Sequence, residues 1–260
     1  MSSIKGLIIK DLTVTKKLNI ICCILLVIIL SVAFLFRFAY IYGNLAKPEM
    51  YENEEDMINA INYLDMFMPL ILSMVSAGVL FYYITASMDS DFKCRWNSVL
   101  FSSGVTEYQA VGAKYIEIIV FVICNMALNL LVNTVYLVNF RSEYSSSVYL
   151  VGIVAVPLMV GAFGFISVAL MYMFKKSETV STVEMIIIIC IAVILSRKFI
   201  GTMETASVDP TGSIQNMCSW LGGHISMLLV ISAGLFAIVG AAAYFVSVSF
   251  LKRREKICGD

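Results

Sequence analysis

Apolar residues run along this chain in long blocks, not in the alternation of a strand or the narrow stripe of a water-facing helix. Six blocks read as membrane crossings: residues 18–42, 66–86, 115–138, 148–174, 180–195 and 225–250. About 20 apolar residues are needed to cross a hydrocarbon layer of roughly 30 Å. Each crossing is expected to be helical, because unpaired backbone groups are too costly in lipid. The fourth block contains Pro157, Gly161 and Gly164, which predicts a kinked or closely packed helix there.

The polar stretches between the blocks set the orientation. With the N-terminus inside, thirteen of the 18 Lys and Arg fall on the inner side: Lys5, Lys10, Lys16, Lys17, Lys93, Arg95, Lys114, Lys175, Lys176, Lys252, Arg253, Arg254 and Lys256. Arg37, Lys47, Arg141, Arg197 and Lys198 fall outside. The opposite orientation would invert that ratio, so both termini are expected in the cytoplasm. No cleavable signal peptide is expected, since the first block is too long and a polar-studded stretch precedes it.

Residues 1–17 carry Ile4, Leu7, Ile8 and Leu12 at helical spacing among lysines, which reads as an interfacial amphipathic stretch or a plain positive flank. The longest inner segment, 87–114, places Trp96, Val99 and Leu100 on one helical face before Gly104 breaks the pattern; Thr106 stands where it can cap the next helix. That face suits docking to a cytosolic partner; alternatively, Trp96 is a headgroup anchor. Residues 200–224 are expected to be an outer loop, with Asp209, Pro210, Thr211 and Gly212 forming a turn and Trp220 opening a short interfacial or re-entrant piece.

Some polar residues lie inside the apolar blocks. Asn125, Asn129 and Asn133 form one stripe at spacing four, which must face other helices or a hydrated path. Glu117 and Glu184 lie near the inner ends of their blocks, with Lys114 placed to pair with Glu117. They read as snorkelling interfacial charges or, in the second reading, as a proton relay. Ala233, Ala237 and Ala241, beside Gly234 and Gly240, form a small-residue face for close helix approach.

Composition agrees with this picture. The chain is 60% hydrophobic and 14% charged, with a mean hydropathy of +0.90 and zero formal net charge. A soluble domain has roughly 25% charged residues. Zero net charge gives no basis for a nucleic-acid partner. The 7 cysteines show no framework spacing and read as reduced. One histidine leaves no HExxH zinc motif, and neither a phosphate loop of the GxxxxGK[ST] type nor a GxSxG elbow occurs. Catalytic, cofactor and metal sites are therefore not expected in this chain.

Two segments carry a resemblance. Residues 4–12, IKGLIIKDL, followed by Lys16 and Lys17, resemble the opening of ABC-2-type transporter permeases of Gram-positive bacteria. In the inner segment Asp91, Lys93, Trp96, Leu100, Val105, Thr106, Lys114 and Tyr115 match that family's run, with Gly104 where proline is usual and Glu107 where arginine is usual. The resemblance is to permeases that export phenol-soluble modulins and to those that give immunity to lantibiotics and other bacteriocins. It implies an all-α, six-span exporter bundle in the bacterial cell membrane. The permease would be a homodimer, with a heterodimer as runner-up, and would be driven by a pair of separate ABC ATPase subunits that hold ATP and Mg. Its cargo would be an amphipathic or hydrophobic peptide. Residues 1–17 would be an elbow helix and 91–101 a coupling helix, with Asp91, Lys93, Trp96, Val99 and Leu100 meeting the ATPase. An ion-coupled secondary transporter or a non-transporting membrane receptor is the alternative.

Overall fold

The computed structural model describes residues 54–93, 104–140, 146–174, 179–187, 189 and 210–258, with parts of 6–39. Every described regular element is a helix. In chain order these are α1 (Glu54–Lys93), α2 (Glu107–Phe140), α3 (Ser146–Leu150), a π-helical turn (Val151–Ala155), α4 (Val156–Phe174) and α5 (Pro210–Cys258). The described residues of 6–39 and 179–187 are helical as well.

Four stretches are long and apolar enough to cross a membrane: Leu70–Asp91, Glu107–Tyr136, Val148–Phe174 and Ser219–Arg253. The chain thus has the helices of an α-helical, membrane-embedded protein. These four contain or overlap the expected second, third, fourth and sixth spans. The expected first and fifth spans are helical where they are described, and residues 190–195 lie outside the described set. α1 has 40 residues and α5 has 49, so they reach about 60 and 74 Å at 1.5 Å per residue. Both are longer than a hydrocarbon layer requires.

The expected outer loop over 200–224 is corrected from Pro210 onward, where α5 begins and continues without a break. Pro210 and Gly212 look like turn residues, but proline is equally at home in the first turn of a helix. Its fixed φ suits the helix, and its missing N–H would have no partner there. At the start of α2 the Thr106 backbone N–H donates to Gln109 Oε1 (3.2 Å), and the Gln109 N–H donates to Thr106 Oγ1 (3.4 Å). This reciprocal capping box fixes where α2 starts. Gly104, just before it, has a φ of 76°, which favours glycine.

Pro157 explains the π-helical turn. It has no N–H to return to residue 153, and its ring crowds that carbonyl. The preceding turn widens instead, with the Val156 N–H donating to Val151 O.

Contacts between helices give their directions. Ser76, Tyr83 and Asp91 of α1 meet Asn129, Glu117 and Lys114 of α2 in turn, so the pair is antiparallel. Tyr149 lies against Thr134 and Phe165 against Tyr115, so α3–α4 also runs against α2. Tyr244 and Ser247 meet Tyr115, and Lys252 meets Tyr108, so α5 runs against α2 too. α1, α4 and α5 therefore share one direction. Near the N-terminus, Leu7 is buried against Ala110 and Ala113, while the Phe34 ring lies 5.6 Å from Tyr136. That segment runs the same way as α2.

The main core joins Leu80, Ile84 and Met88 of α1, Val111, Tyr115, Ile118 and Val122 of α2, Phe165 and Val168 of α4, and Val248 and Leu251 of α5; Val180 joins them. Glycines let the helices approach. A β-carbon at Gly161 would sit 2.6 Å from Val122 Cγ2 and 2.7 Å from Phe236 Cε2, and one at Gly240 would sit 2.8 Å from Phe165 Cε2. The small-residue face of α5 divides accordingly. Gly240 is buried in the bundle and Gly234 is half-buried, while Ala233, Ala237 and Ala241 face outward.

Candidate functional site

α1 and α2 are joined by two buried polar clusters. At the end where α2 begins, Lys114 Nζ lies 2.8 Å from Asp91 Oδ2 and 3.5 Å from Glu117 Oε2, and donates to Ser87 Oγ at 3.1 Å. Tyr83 donates its hydroxyl to Glu117 Oε1 at 3.0 Å, and its ring packs 4.3 Å from Phe121. A small cavity here is lined by Tyr83, Ser87, Lys114, Glu117, Phe121 and Val168. Lys114, Glu117, Ser87 and Tyr83 are all buried. One ammonium with two carboxylates is tolerable in a low-dielectric site because each charge is paired and hydrogen-bonded.

The second cluster lies further along the same seam. Asn129 Nδ2 donates to Asn125 Oδ1 at 3.0 Å, Ser76 Oγ donates to Asn129 Oδ1 at 2.7 Å, and Asn133 Nδ2 donates to Asn129 O at 2.8 Å. The three asparagines are buried, as are Ser73 and Ser76 opposite them. Asn133 Oδ1 is buried with no hydrogen-bond partner.

Two further groups complete the inventory. Tyr115 lies under Phe165 with rings nearly parallel, its hydroxyl 3.0 Å from Ser247 Oγ. At the rim, Lys252 donates to Tyr108 Oη at 2.7 Å and lies 4.2 Å from that ring's centre, a cation–π contact. Glu184 is buried as well.

Of the residues singled out from the sequence, Asp91, Glu117 and Lys114 come together, and Asn125, Asn129 and Asn133 form one ladder. Lys93 ends α1. Trp96, Val99 and Leu100 lie outside the described residues. The Asp91 carboxylate turns to Lys114. Tyr83, Ser87 and Ser76 were not singled out. Tyr83, Ser87 and Asp91 are spaced by four, the same signal that marked the asparagines, but the serine and tyrosine were hidden among apolar neighbours. Compared with known proteins, the chain matches no family model, no curated protein and no solved structure.

Proposed function

We propose that this chain is the permease subunit of an ATP-driven exporter of the ABC-2 kind, with six crossings and both termini on the inner side of a bacterial cell membrane. The observation that carries the reading is the Asp91–Lys114 ion pair. It ties the end of α1 to the first turns of α2, at the root of the segment that holds Trp96 and Leu100. A push on that segment would be delivered to both helices together. A partner pair of ATPases closing on ATP would supply the push, and opening outward would follow from the difference in contacts between the two states. The cargo would be an amphipathic or hydrophobic peptide. The outward alanines of α5 would let two permease copies pack side by side.

The decisive experiment is co-purification of the full chain with any ABC ATPase whose gene adjoins its own, followed by peptide export from proteoliposomes. ATP-dependent export by a stable complex is expected; an ATPase that neither binds nor responds ends the proposal. Trp96→Ala should weaken ATPase association, since truncating a buried interface aromatic commonly loses about 2 kcal/mol or more. Insertion should stay near normal, and full coupling in that variant would reduce Trp96 to a headgroup anchor. Native mass spectrometry checks for two permease copies per ATPase pair.

Buried carboxyls favour one second reading, an ion-coupled transporter in which Glu117 and Glu184 carry the coupling charge. Transport that stops when the proton gradient collapses, and not when ATP is removed, would select it.

A further inference from the structure

The seam between α1 and α2 is held unevenly. At the end where α2 begins, Asp91 and Lys114 sit on different helices, so parting them strips each buried charge of its partner. At the asparagine ladder the bond is neutral and has a local substitute. Ser76 has one hydroxyl proton and two acceptors in reach, Ser73 O on its own helix at 3.0 Å and Asn129 Oδ1 across the seam at 2.7 Å. When α1 draws back, that proton turns to Ser73 O and the serine stays satisfied. Asn129 Oδ1 gives up its donor, and Asn133 Oδ1, on a residue with 0% exposure, has none to begin with. A parting of the seam at the ladder therefore leaves two carbonyl oxygens of α2 in need of donors.

The spacing of those oxygens says what kind of donor fits. The asparagines recur every four residues, a step of about 6 Å along a helix. An extended peptide presents N–H and C=O groups on one side at every second residue, a step of about 6.6 Å. Over the two steps of the ladder the mismatch is about 1 Å, within the reach of side-chain torsions. Each asparagine amide also carries a second N–H beside the one given to Asn125 Oδ1 or Asn129 O, and can donate it to a peptide carbonyl. A helical ligand offers no such edge, since its backbone groups bond to one another.

We propose that the α1–α2 seam at Asn125, Asn129 and Asn133 is a binding site for an extended peptide segment, held by its backbone rather than its side chains. Asn129 Oδ1 and Asn133 Oδ1 accept from N–H groups two residues apart in the peptide, which takes the place of Ser76. The seam opens at the ladder and stays closed at Lys114. Recognition of this kind is indifferent to peptide sequence. The inference rests on the exporter reading for the peptide's being cargo; the binding itself needs no ATPase.

The test is photo-crosslinking to the full chain in lipid nanodiscs, without ATPase or nucleotide. One probe is a short peptide of alternating valine and threonine carrying a diazirine; the other is the same peptide with every backbone nitrogen methylated, which removes the N–H donors and keeps the side chains. The parent peptide should be captured on α1 and α2 beside the ladder, and the methylated one about tenfold less, as the loss of one or two hydrogen bonds implies. Asn129→Leu and Asn133→Leu should each erase that difference, while Ser76→Ala keeps it. Equal capture of the two peptides by the wild-type chain, or capture away from the seam, overturns the proposal without any variant having to fold. So does a difference that survives both asparagine variants, which would leave the ladder to water or helix packing. ATP-driven export alongside equal capture would remove this site and leave the exporter reading standing; a preserved difference in a chain that binds no ATPase would do the reverse.

Discussion

At the scale of single residues, Lys114 decides more than any other side chain described. Replacing it with methionine removes the ammonium that Asp91 and Glu117 share. Breaking a buried pair on one side costs about 3–5 kcal/mol. The asparagine ladder is worth less, since hydrogen bonds between membrane helices average only about 0.6 kcal/mol. Lys114→Met should therefore lower the unfolding temperature in detergent far more than Asn129→Leu does. Adding Asp91→Asn and Glu117→Gln to Lys114→Met should restore much of the loss. Equal effects of the two single variants would show that the charges are solvated rather than buried. Gly104 is a second decisive position. With φ at 76° a side chain is strained, so Gly104→Ala should cost about 1 kcal/mol in the same melting experiment. Gly104→Pro should cost more, because proline fixes φ near −65°. The proline usual in the resembling family thus cannot sit on this backbone. The Lys114–Glu117 pairing was legible from a spacing of three on one helix. The Asp91 partnership was not, because nothing local records which residue of α1 comes to rest opposite α2.

At the scale of helices, glycines mark where backbones approach and where they do not. Gly161 lies between Val122 of α2 and Phe236 of α5, and neither neighbour has a long flexible end to move aside. Overpacking of this kind costs about 1–3 kcal/mol. Gly78 on α1 has open space around its missing β-carbon. Gly161→Ala should lower thermal stability while Gly78→Ala leaves it unchanged or raises it, since glycine in a helix is itself unfavourable by about 0.5–1 kcal/mol. A melting comparison of the two checks the assignment, and a stable Gly161→Ala protein would mean that α2, α4 and α5 do not meet there. The apolar blocks revealed that these helices exist, because lipid leaves the backbone few alternatives. Their true lengths were harder to read. α5 starts some fifteen residues before its apolar block, and only Pro210 marks the place.

The whole molecule is constrained by direction. α4 and α5 run the same way, both opposed to α2. α4 ends at Phe174 and α5 begins at Pro210, so the chain between them must return to the side from which α4 set out. On the proposed six-span reading, that return is the crossing assigned to the apolar block 180–195. The same reasoning applies near the N-terminus. The segment bearing Leu7 and Phe34 runs parallel to α2, and α1 then comes back. Two returns beside the four candidate spans are what the proposed six-span reading calls for. The expected outcome is that Lys176→Cys and Ser207→Cys, each in a background without the native cysteines, react with a membrane-impermeant thiol reagent from opposite faces. Lys176→Cys should label only in inside-out vesicles and Ser207→Cys only in right-side-out ones. Labelling of both from one face would leave α4 and α5 without a connecting crossing. That result is incompatible with their shared direction, and it would remove the six-span permease along with it.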